Sequence, residues 1–241
     1  IYDYSRWLYQ PCRSLLVPSK ASADLLAQAG HRRERLRLWP SAVDAEQFTP
    51  NRASAALRRR WVVDDRRPAI LYAGRLSPEK GLAIVAPLQR LLHRHGLEHR
   101  FVFAGDGPLA PWLKAECPDA VFPGNLTHPD VAVAMASADI FFFPSSTDAV
   151  GTVVLESQAS GIPALVSDRG GPSEHIIHGT TGYVCRAEDV NAFGARLIEL
   201  LRSAARRREM GEAARLSARV RTWPVALQPL SRAWHDAVHG D

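Results

Sequence analysis

ADIFFFPSSTDAVGTVVLESQASG, residues 138–161, is the stretch of sequence that decides the fold. It opens with a continuous apolar run that ends at Pro144, which is typical of a strand buried on both faces. Thr152 to Ser160 then carries apolar residues at helical spacing. A strand, a polar loop and a helix therefore follow one another, which is the repeating unit of a parallel α/β sheet.

The loop and the helix start in this stretch suit an anion and a polyol. The amides of Gly151, Thr152 and Val153 would lack helical partners, and the helix dipole favours an anion there. Asp148 and Glu156 stand eight positions apart and can accept hydrogen bonds from sugar hydroxyl groups. A nucleotide sugar fits this combination. The alternative is that Asp148 is a turn residue and Glu156 a solvated acid in the first turn of the helix.

The rest of the chain repeats this alternation of strands and helices from Pro68 onwards. Apolar runs predict further strands at AILYAG, FVFAG, AVFPG and PALVS, with helices between them. Such an order predicts an α/β protein with a doubly wound, Rossmann-like parallel sheet and right-handed crossovers. Ligands of these sheets bind beyond the carboxyl ends of the strands. Residues 14–39 predict one separate αβ step upstream, with strands at SLLVPS and at Leu36 to Trp39.

Two more loops at this predicted edge are candidates for ligand contacts. In AGRLSPEKG, residues 73–81, Arg75 and Lys80 stand near a helix start, where the dipole favours acids. Cations at such a place indicate an anionic ligand, although two solvated surface residues are the alternative. AGDGP, residues 104–108, lacks the GxGxxG spacing of a dinucleotide site and is expected to be a tight turn that lines the cleft. A third loop, VSDRGGPSE at 166–174, is explained by a strand-to-helix turn.

Composition and charge indicate which class of protein this is and which partners it can bind. The 241 residues are 46% hydrophobic, which is enough for a core, and 30 basic against 25 acidic residues give a net charge of +5. The arginine runs at 58–60 and 206–208 are typical of solvated helix faces. A basic chain can also contact an acidic membrane surface. Without interleaved aromatic residues or a recognition motif, we expect no nucleic acid partner.

Cysteines, histidines and the first residue exclude further classes. Three widely spaced cysteines without a CxxC pair argue against a disulfide framework and for a reducing compartment. No Asp-x-Asp motif or histidine cluster indicates a metal site, and His175 and His178 are expected at the surface. No apolar run approaches the ~20 residues that span a bilayer. Ile1 is not an initiator methionine, so we expect the chain to come from the inside of a longer reading frame.

Five motifs, in this order and spacing, resemble a known family. AGRLSPEKG, FAGDGP, the run from Ala136 to Asp168, GGPSE and HGTTGYV are similar to the carboxyl-terminal, nucleotide-sugar-binding domain of retaining glycosyltransferases of the GT-B fold, family 4. The resemblance covers about Pro68 to Leu201. It implies that residues 1–50 are the end of an amino-terminal acceptor domain with a linker, 51–222 the donor-binding domain, and 223–241 a helix that returns towards the amino-terminal domain.

The resemblance also implies roles for individual residues. Arg75 and Lys80 match the basic pair that holds the diphosphate as it leaves. Asp148 matches the first acid of a Glu-x7-Glu signature, which touches the donor sugar, and Glu156 matches the second acid, which binds the ribose. The other implied donor-binding residues are Gly74, Gly105, Val150, Gly151, Thr152 and Val153, together with Phe122 and Pro123, against which the base would pack.

Two positions depart from the family's pattern. Asp148 is shorter than glutamate by one methylene, roughly 1.5 Å of reach. Val150 stands where many members have phenylalanine. Neither change removes an acceptor group, so donor binding is still expected, while the identity of the sugar stays open.

The implied function is transfer of a sugar from a UDP- or GDP-sugar to a hydroxyl group of an acceptor sugar, lipid or polysaccharide. The resemblance implies retention at the anomeric carbon, no metal and no cofactor, in the cytoplasm or at the inner membrane surface. We expect the isolated 241-residue chain to bind nucleotide weakly and to transfer no sugar alone, because most of the acceptor domain would be missing. The alternatives are a non-catalytic nucleotide-sugar-binding module, or a sugar-nucleotide epimerase or phosphorylase of the same fold.

Overall fold

The amino-terminal part of the chain forms a small α/β unit of its own. In the computed structural model, which describes residues 2–64 and 66–239, helix α1 (Tyr2–Leu8) precedes two parallel strands, β1 (Leu15–Val17) and β2 (Leu36–Leu38). Helix α2 (Lys20–Gln28) connects them, as predicted for residues 14–39. Ser19 caps α2 because its hydroxyl accepts a hydrogen bond from the amide of Ser22 at 3.0 Å.

The remaining strands form one parallel sheet of six. These are β3 (Ala69–Ala73), β4 (Arg100–Ala104), β5 (Val121–Gly124), β6 (Ile140–Phe143), β7 (Ala164–Ser167) and β8 (Gly182–Cys185). They lie in the order β5-β4-β3-β6-β7-β8, so the predicted doubly wound parallel sheet is confirmed. The direction of winding reverses between β3 and β6, and ligands of such sheets bind at that switch point.

Helices cover both faces of this sheet. They are α3 (Ala55–Trp61), α4 (Val85–Arg94), α5 (Ala110–Glu116), α6 (His128–Ser137), α7 (Thr152–Ala159), α8 (Val190–Arg202) and α9 (Ala204–Arg219), and α10 (Trp223–His239) follows them in the chain. Strands β3, β6 and β7 are buried along their whole length, which explains why their sequences are apolar without alternation. The core therefore runs along both sides of the central strands.

The start of α4 and the strand β8 differ from the sequence prediction. The helix expected from Gly81 begins at Val85, because Gly81 has a positive φ of 70° and separates two 3-10 turns, Pro78–Lys80 and Leu82–Ile84. Strand β8 was not predicted. Its four residues begin with glycine and lie at the edge of the sheet, so neither length nor alternation identifies them.

The arginine runs are not simply solvated, which corrects the prediction from charge. Arg58 forms an ion pair with Asp139 at 3.0 Å and donates to the carbonyl of Ser137 at 2.8 Å. Arg207 is 7% exposed and donates to the carbonyls of Leu200 and Leu201 at the end of α8. Each run therefore contains a structural arginine, because its guanidinium satisfies carbonyls or a carboxylate at the end of a neighbouring element.

The last helix returns to the amino-terminal unit. The guanidinium of Arg13 donates to the carbonyl of Asp236 at 3.3 Å, while Trp223 and Trp234 are exposed. In the described part of the chain, no helix is long and apolar enough to cross a bilayer. The outermost residues of the predicted segments 1–50 and 223–241 lie outside the described residues, and the division of the chain at 51 and 222 stays a prediction.

Candidate functional site

A cleft of about 700 Å³ opens at the carboxyl edge of the sheet, between the ends of β3 and β6. This is the switch point at which a doubly wound sheet binds its ligand. Nine of the twelve predicted site residues line the cleft: Gly74, Arg75, Lys80, Asp148, Val150, Gly151, Thr152, Val153 and Glu156. The topology thus brings together two loops that are about 70 residues apart in sequence.

Lys80 and Asp148 form an ion pair across the cleft. The ammonium of Lys80 lies 2.8 and 2.9 Å from the two carboxylate oxygens of Asp148, and each side chain is 21% exposed. The hydroxyl of Thr147 also donates to the carbonyl of Glu79 at 3.1 Å, which ties the two loops together. The carboxylate predicted to contact a sugar therefore neutralises the cation predicted to bind a diphosphate.

Arg75 presents a second cation to the cleft. Its backbone carbonyl accepts a hydrogen bond from the hydroxyl of Tyr72 at 2.8 Å, and the Tyr72 ring stacks on Phe143. Burial raises the pKa of Tyr72, so the phenol stays a neutral donor. The Arg75 guanidinium is exposed and has no ion-pair partner among the described residues. A fixed backbone with an unpaired cation is suited to an anionic ligand.

Gly105 supports the Arg75 loop and is not among the residues that line the cleft, and its contact with the donor stays a prediction. It has a φ of 140°, and a Cβ atom there would lie 2.0 Å from the carbonyl oxygen of Gly74. The amide of Gly74 donates to the carbonyl of Ala104 at 2.9 Å. The two strand ends touch through their backbones, and a side chain at Gly105 would separate them.

We expect Gly105→Ala to lower the free energy of unfolding by about 2 kcal/mol more than Gly96→Ala does, because it adds a backbone clash to the strain of positive φ. Gly96 is the matched control: its φ is 64° and a Cβ there would meet no atom within 4 Å. Urea denaturation of both variants measures the difference. Equal losses would show that the approach of Gly105 to Gly74 contributes nothing.

The start of α7 offers backbone amides to the cleft. Gly151 precedes the helix with a φ of 69°, and a Cβ atom there would lie 2.6 Å from the ring of Pro172. No side chain caps this end of the helix. The first amides of α7 are therefore free to bind an anion, and the helix dipole adds to the attraction.

The GGPSE segment packs against the turn that begins α7. The sequence alone explained this segment only as a turn between a strand and a helix. The amide of Gly171 donates to the carbonyl of Asp148 at 2.9 Å, and a Cβ atom at Gly171 would lie 2.0 Å from the carbonyl oxygen of Ala149. At its other end, the carboxylate of Glu174 accepts from the amides of Lys20 and Ala21, both at 2.9 Å, and so caps α2. The segment thus joins the cleft to the amino-terminal unit.

His175 is buried, so the prediction that it lies at the surface is wrong. It is 6% exposed, and its Nε2 atom lies 2.9 Å from the carbonyl of Val150. Burial, and to a smaller degree the charge of Arg221, lowers the pKa of His175 to about 4. Its partners come from segments 25 residues before it and 46 residues after it, so no local pattern reveals them. His178, in contrast, is exposed.

Glu156 lies in α7 and lines the cleft beside a histidine that the sequence did not single out. Burial raises the pKa of Glu156, whereas His128, whose Nε2 atom is 3.7 Å from the carboxylate, opposes the rise. The Nδ1 atom of His128 lies 2.7 Å from the side-chain nitrogen Nε2 of Gln47, and the His128 ring packs edge-on against Phe48. His128 begins α6, shortly after the end of β5 at Gly124, and this place at the carboxyl edge of the sheet is the signal that identifies it.

Phe122 and Pro123 are not among the residues that line this cleft, and their contact with the base stays a prediction. They line a separate cavity of about 510 Å³ together with residues of α3 and α6. The ring of Phe122 stacks on Phe103 with 5.3 Å between centroids, and the ammonium of Lys114 lies 5.6 Å above it.

Within residues 2–64 and 66–239, no group of three histidine, cysteine or acidic side chains is placed to hold a metal ion. The cations at the cleft are the side chains of Arg75 and Lys80 and, when protonated, His128. They face two carboxylates, Asp148 and Glu156. The arrangement can bind an anion at one end and hydroxyl groups at the other.

Comparison with known proteins gives matches over most of the chain. The family model of glycosyl transferases group 1 matches residues 54–217. A GDP-mannose-dependent alpha-mannosyltransferase of Mycolicibacterium smegmatis is 35% identical over 95% of this chain and 58% of that protein. A protein of the same description in Corynebacterium glutamicum is 29% identical over 98% of this chain and 56% of its own length. The chain thus spans somewhat more than half of these relatives.

Solved structures share the fold at lower identity. The structure of Anabaena Alr3699/HepE in complex with UDP and glucose superposes with a TM-score of 0.82 at 19% identity, over 97% of this chain and 66% of that one. The sucrose-phosphate synthase of Thermosynechococcus elongatus superposes with a TM-score of 0.85 at 18% identity, over 100% of this chain and 62% of that one.

Proposed function

This chain belongs to the family of glycosyl transferases group 1, and we propose that it is the donor-binding part of an enzyme that transfers a sugar from a nucleoside-diphosphate sugar to an acceptor hydroxyl. One observation carries the proposal. The cleft at the switch point combines two cations, the open start of α7 and two carboxylates, which are the groups that a diphosphate, a ribose and a sugar require.

The mechanism rests on the cations of the cleft. Negative charge grows on the diphosphate as its bond to the sugar breaks, so Arg75, Lys80 and the amides of α7 stabilise the transition state more than the bound donor. They supply the positive charge that a metal ion supplies elsewhere, which supports transfer without a metal or cofactor. Retention at the anomeric carbon is supported by the family resemblance.

GDP-mannose is the donor we propose first. Two relatives that match nearly the whole chain are described as GDP-mannose-dependent mannosyltransferases. A UDP-sugar is the second candidate. We place Glu156 on the ribose hydroxyls, because a mostly buried carboxylate beside the start of α7 can accept from a diol next to a bound diphosphate.

The acceptor we propose is a lipid or a glycan at the inner surface of the membrane, with the protein in the cytoplasm. Relatives of this chain include mannosyltransferases that are described as acting on phosphatidylinositol monomannosides. The net charge of +5 is compatible with an acidic lipid surface. Sugar transfer by the 241-residue chain alone is not expected.

A non-catalytic binding module is the second candidate function. It is favoured by the ion pair in which the shortened acid Asp148 is engaged by Lys80 at 2.8 Å. Assay of the reading frame that contains this chain for GDP release from GDP-mannose separates the two. Binding without release in the presence of extracted membrane lipid would favour the module.

Binding of GDP by the chain tests the proposed site directly. Isothermal titration with GDP should show one site, and Arg75→Ala should weaken GDP binding about tenfold and guanosine binding less than twofold, because the guanidinium meets only the diphosphate. Arg94→Ala is the control, since Arg94 is an exposed arginine at the far end of α4. If the folded chain binds neither GDP nor UDP, the proposed function is wrong.

A further inference from the structure

His175 lies behind the cleft and contacts the turn that begins α7. We propose that His175 is a positioning residue for the diphosphate site: it sets the orientation of the Val150–Gly151 peptide, and Arg221 fixes its ring. This inference rests on the proposed function, because it assigns a role within the same donor site.

Both ring nitrogens of His175 are used, and their partners determine the tautomer. The carbonyl of Val150, 2.9 Å from Nε2, can only accept, so Nε2 carries the proton. The guanidinium of Arg221, 3.1 Å from Nδ1, can only donate, so Nδ1 is the acceptor. The lowered pKa keeps the ring neutral near pH 7. The charged groups that face this ring are Arg221 and Glu174. The ring is therefore held in one tautomer and one orientation.

The hydrogen bond to Val150 also orients an amide. The Val150 carbonyl and the Gly151 amide belong to one planar trans peptide, in which the C=O and N–H bonds point in opposite directions. With the oxygen held towards His175, the Gly151 N–H points away from the ring, and Gly151 itself lines the cleft. The buried histidine therefore directs one of the amides that would meet the diphosphate.

Arg221 connects this arrangement to the segment between the amino-terminal unit and the sheet. Its backbone carbonyl accepts a hydrogen bond from the amide of Val43 at 3.0 Å, and Val43 is 6% exposed. The backbone of His175 is fixed separately, because its carbonyl accepts from the side chain of Gln158 in α7 at 2.9 Å. Arg221 is thus held by the Val43 segment, whereas the backbone of His175 is held by α7.

Titration of the 241-residue chain with GDP and with guanosine tests the assignment. We expect His175→Leu to weaken GDP binding about tenfold and guanosine binding less than twofold, because only the diphosphate meets the Gly151 amide. His175→Gln should recover most of the loss, since its amide can donate to Val150 and accept from Arg221. His178→Leu, on the exposed neighbouring histidine, should bind both ligands like the parent.

A second variant keeps the inference testable if His175→Leu does not fold. Arg221→Met leaves the bond to Val150 in place but frees the ring, so we expect about a threefold loss of GDP affinity. Combined with His175→Leu, it should cause no further loss. Equal losses for GDP and guanosine, or GDP binding at the parent level in both variants, would overturn the inference while leaving the proposed function intact. Binding of neither GDP nor UDP by the folded parent would overturn both.

Discussion

Replacing Lys80 by alanine should weaken the binding of GDP about a thousandfold, the largest effect expected of any single change in this cleft. The substitution removes a cation from the predicted diphosphate site. It also leaves the carboxylate of Asp148, 21% exposed, without the partner that now lies 2.8 Å away. Unpaired negative charge close to a diphosphate repels it, and a pair of unit charges at about 4 Å is worth about 4 kcal/mol at the effective dielectric constant of a protein surface.

Variants of Asp148 separate the two causes of this loss. Asp148→Asn should leave GDP binding unchanged or make it a few times tighter, because Lys80 is then released to the ligand. Lys80→Ala combined with Asp148→Asn should recover part of the affinity lost in Lys80→Ala. Lys114→Ala is the matched control, since Lys114 is exposed and lies over the ring of Phe122, outside the cleft. Calorimetry at low salt measures all four, and parent-like GDP binding by Lys80→Ala would contradict the argument.

The fold was predictable because the sequences of its central strands are apolar runs that predict buried strands. Strands β3, β6 and β7 are buried on both faces, so their sequences are unbroken apolar runs that end at Gly74, Pro144 and Asp168. Strand β8 lies at the edge of the sheet and pairs with one neighbouring strand only. Its four residues begin with glycine and do not form an apolar run that predicts a strand. The delayed start of α4 depends on the positive φ of Gly81, which a helical pattern does not reveal.

The charged residues of the site were predictable because they follow the ends of predicted strands. Arg75 and Lys80 follow β3, and Asp148 and Glu156 follow β6, so the parallel order of the sheet alone brings them to one edge. The supports of the cleft were not predictable in this way. His175 acts through a carbonyl 25 residues away, and Gly105 through a backbone contact with Gly74.

The motif that contains Phe122 and Pro123 shows a second limit of prediction from sequence. A motif places them near the carboxyl edge, but whether a strand residue faces a cleft or a neighbouring helix depends on its face of the sheet. Phe122 stacks on Phe103 of the adjacent strand, and it also lines the cavity beside α3 and α6. The order of the motifs predicts which loops lie together. It does not predict which side chains of β5 face the cleft.

Replacing Glu156 by glutamine should weaken GDP binding about thirtyfold, roughly 2 kcal/mol, because hydrogen bonds from two ribose hydroxyls to a charged carboxylate are lost or become neutral. The loss should depend on pH. Burial raises the pKa of Glu156, so the parent needs a pH above that raised value to offer the charged acceptor. Guanosine is the better probe of this dependence, since it has no phosphate that titrates in the same range. Its binding to the parent should strengthen as the pH rises from 4 to 7, and that rise should be absent in the variant.

The same substitution should make the protein more stable at pH 7, which distinguishes a ligand-binding acid from a structural one. The folded-state pKa of Glu156 lies above its ordinary value of 4.5. At a pH between the unfolded-state and folded-state pKa, the folded chain therefore keeps a proton on Glu156 that the unfolded chain has released. The stability from this carboxyl is present below the unfolded pKa and is lost as the pH rises through the folded pKa. Glu156→Gln keeps a neutral group there, so its advantage in urea denaturation should appear near pH 7 and vanish near pH 4. Glu212→Gln, on an exposed glutamate of α9, should change neither stability nor binding. A variant that loses both stability and guanosine binding at pH 7 would show that Glu156 holds the fold together rather than a ribose.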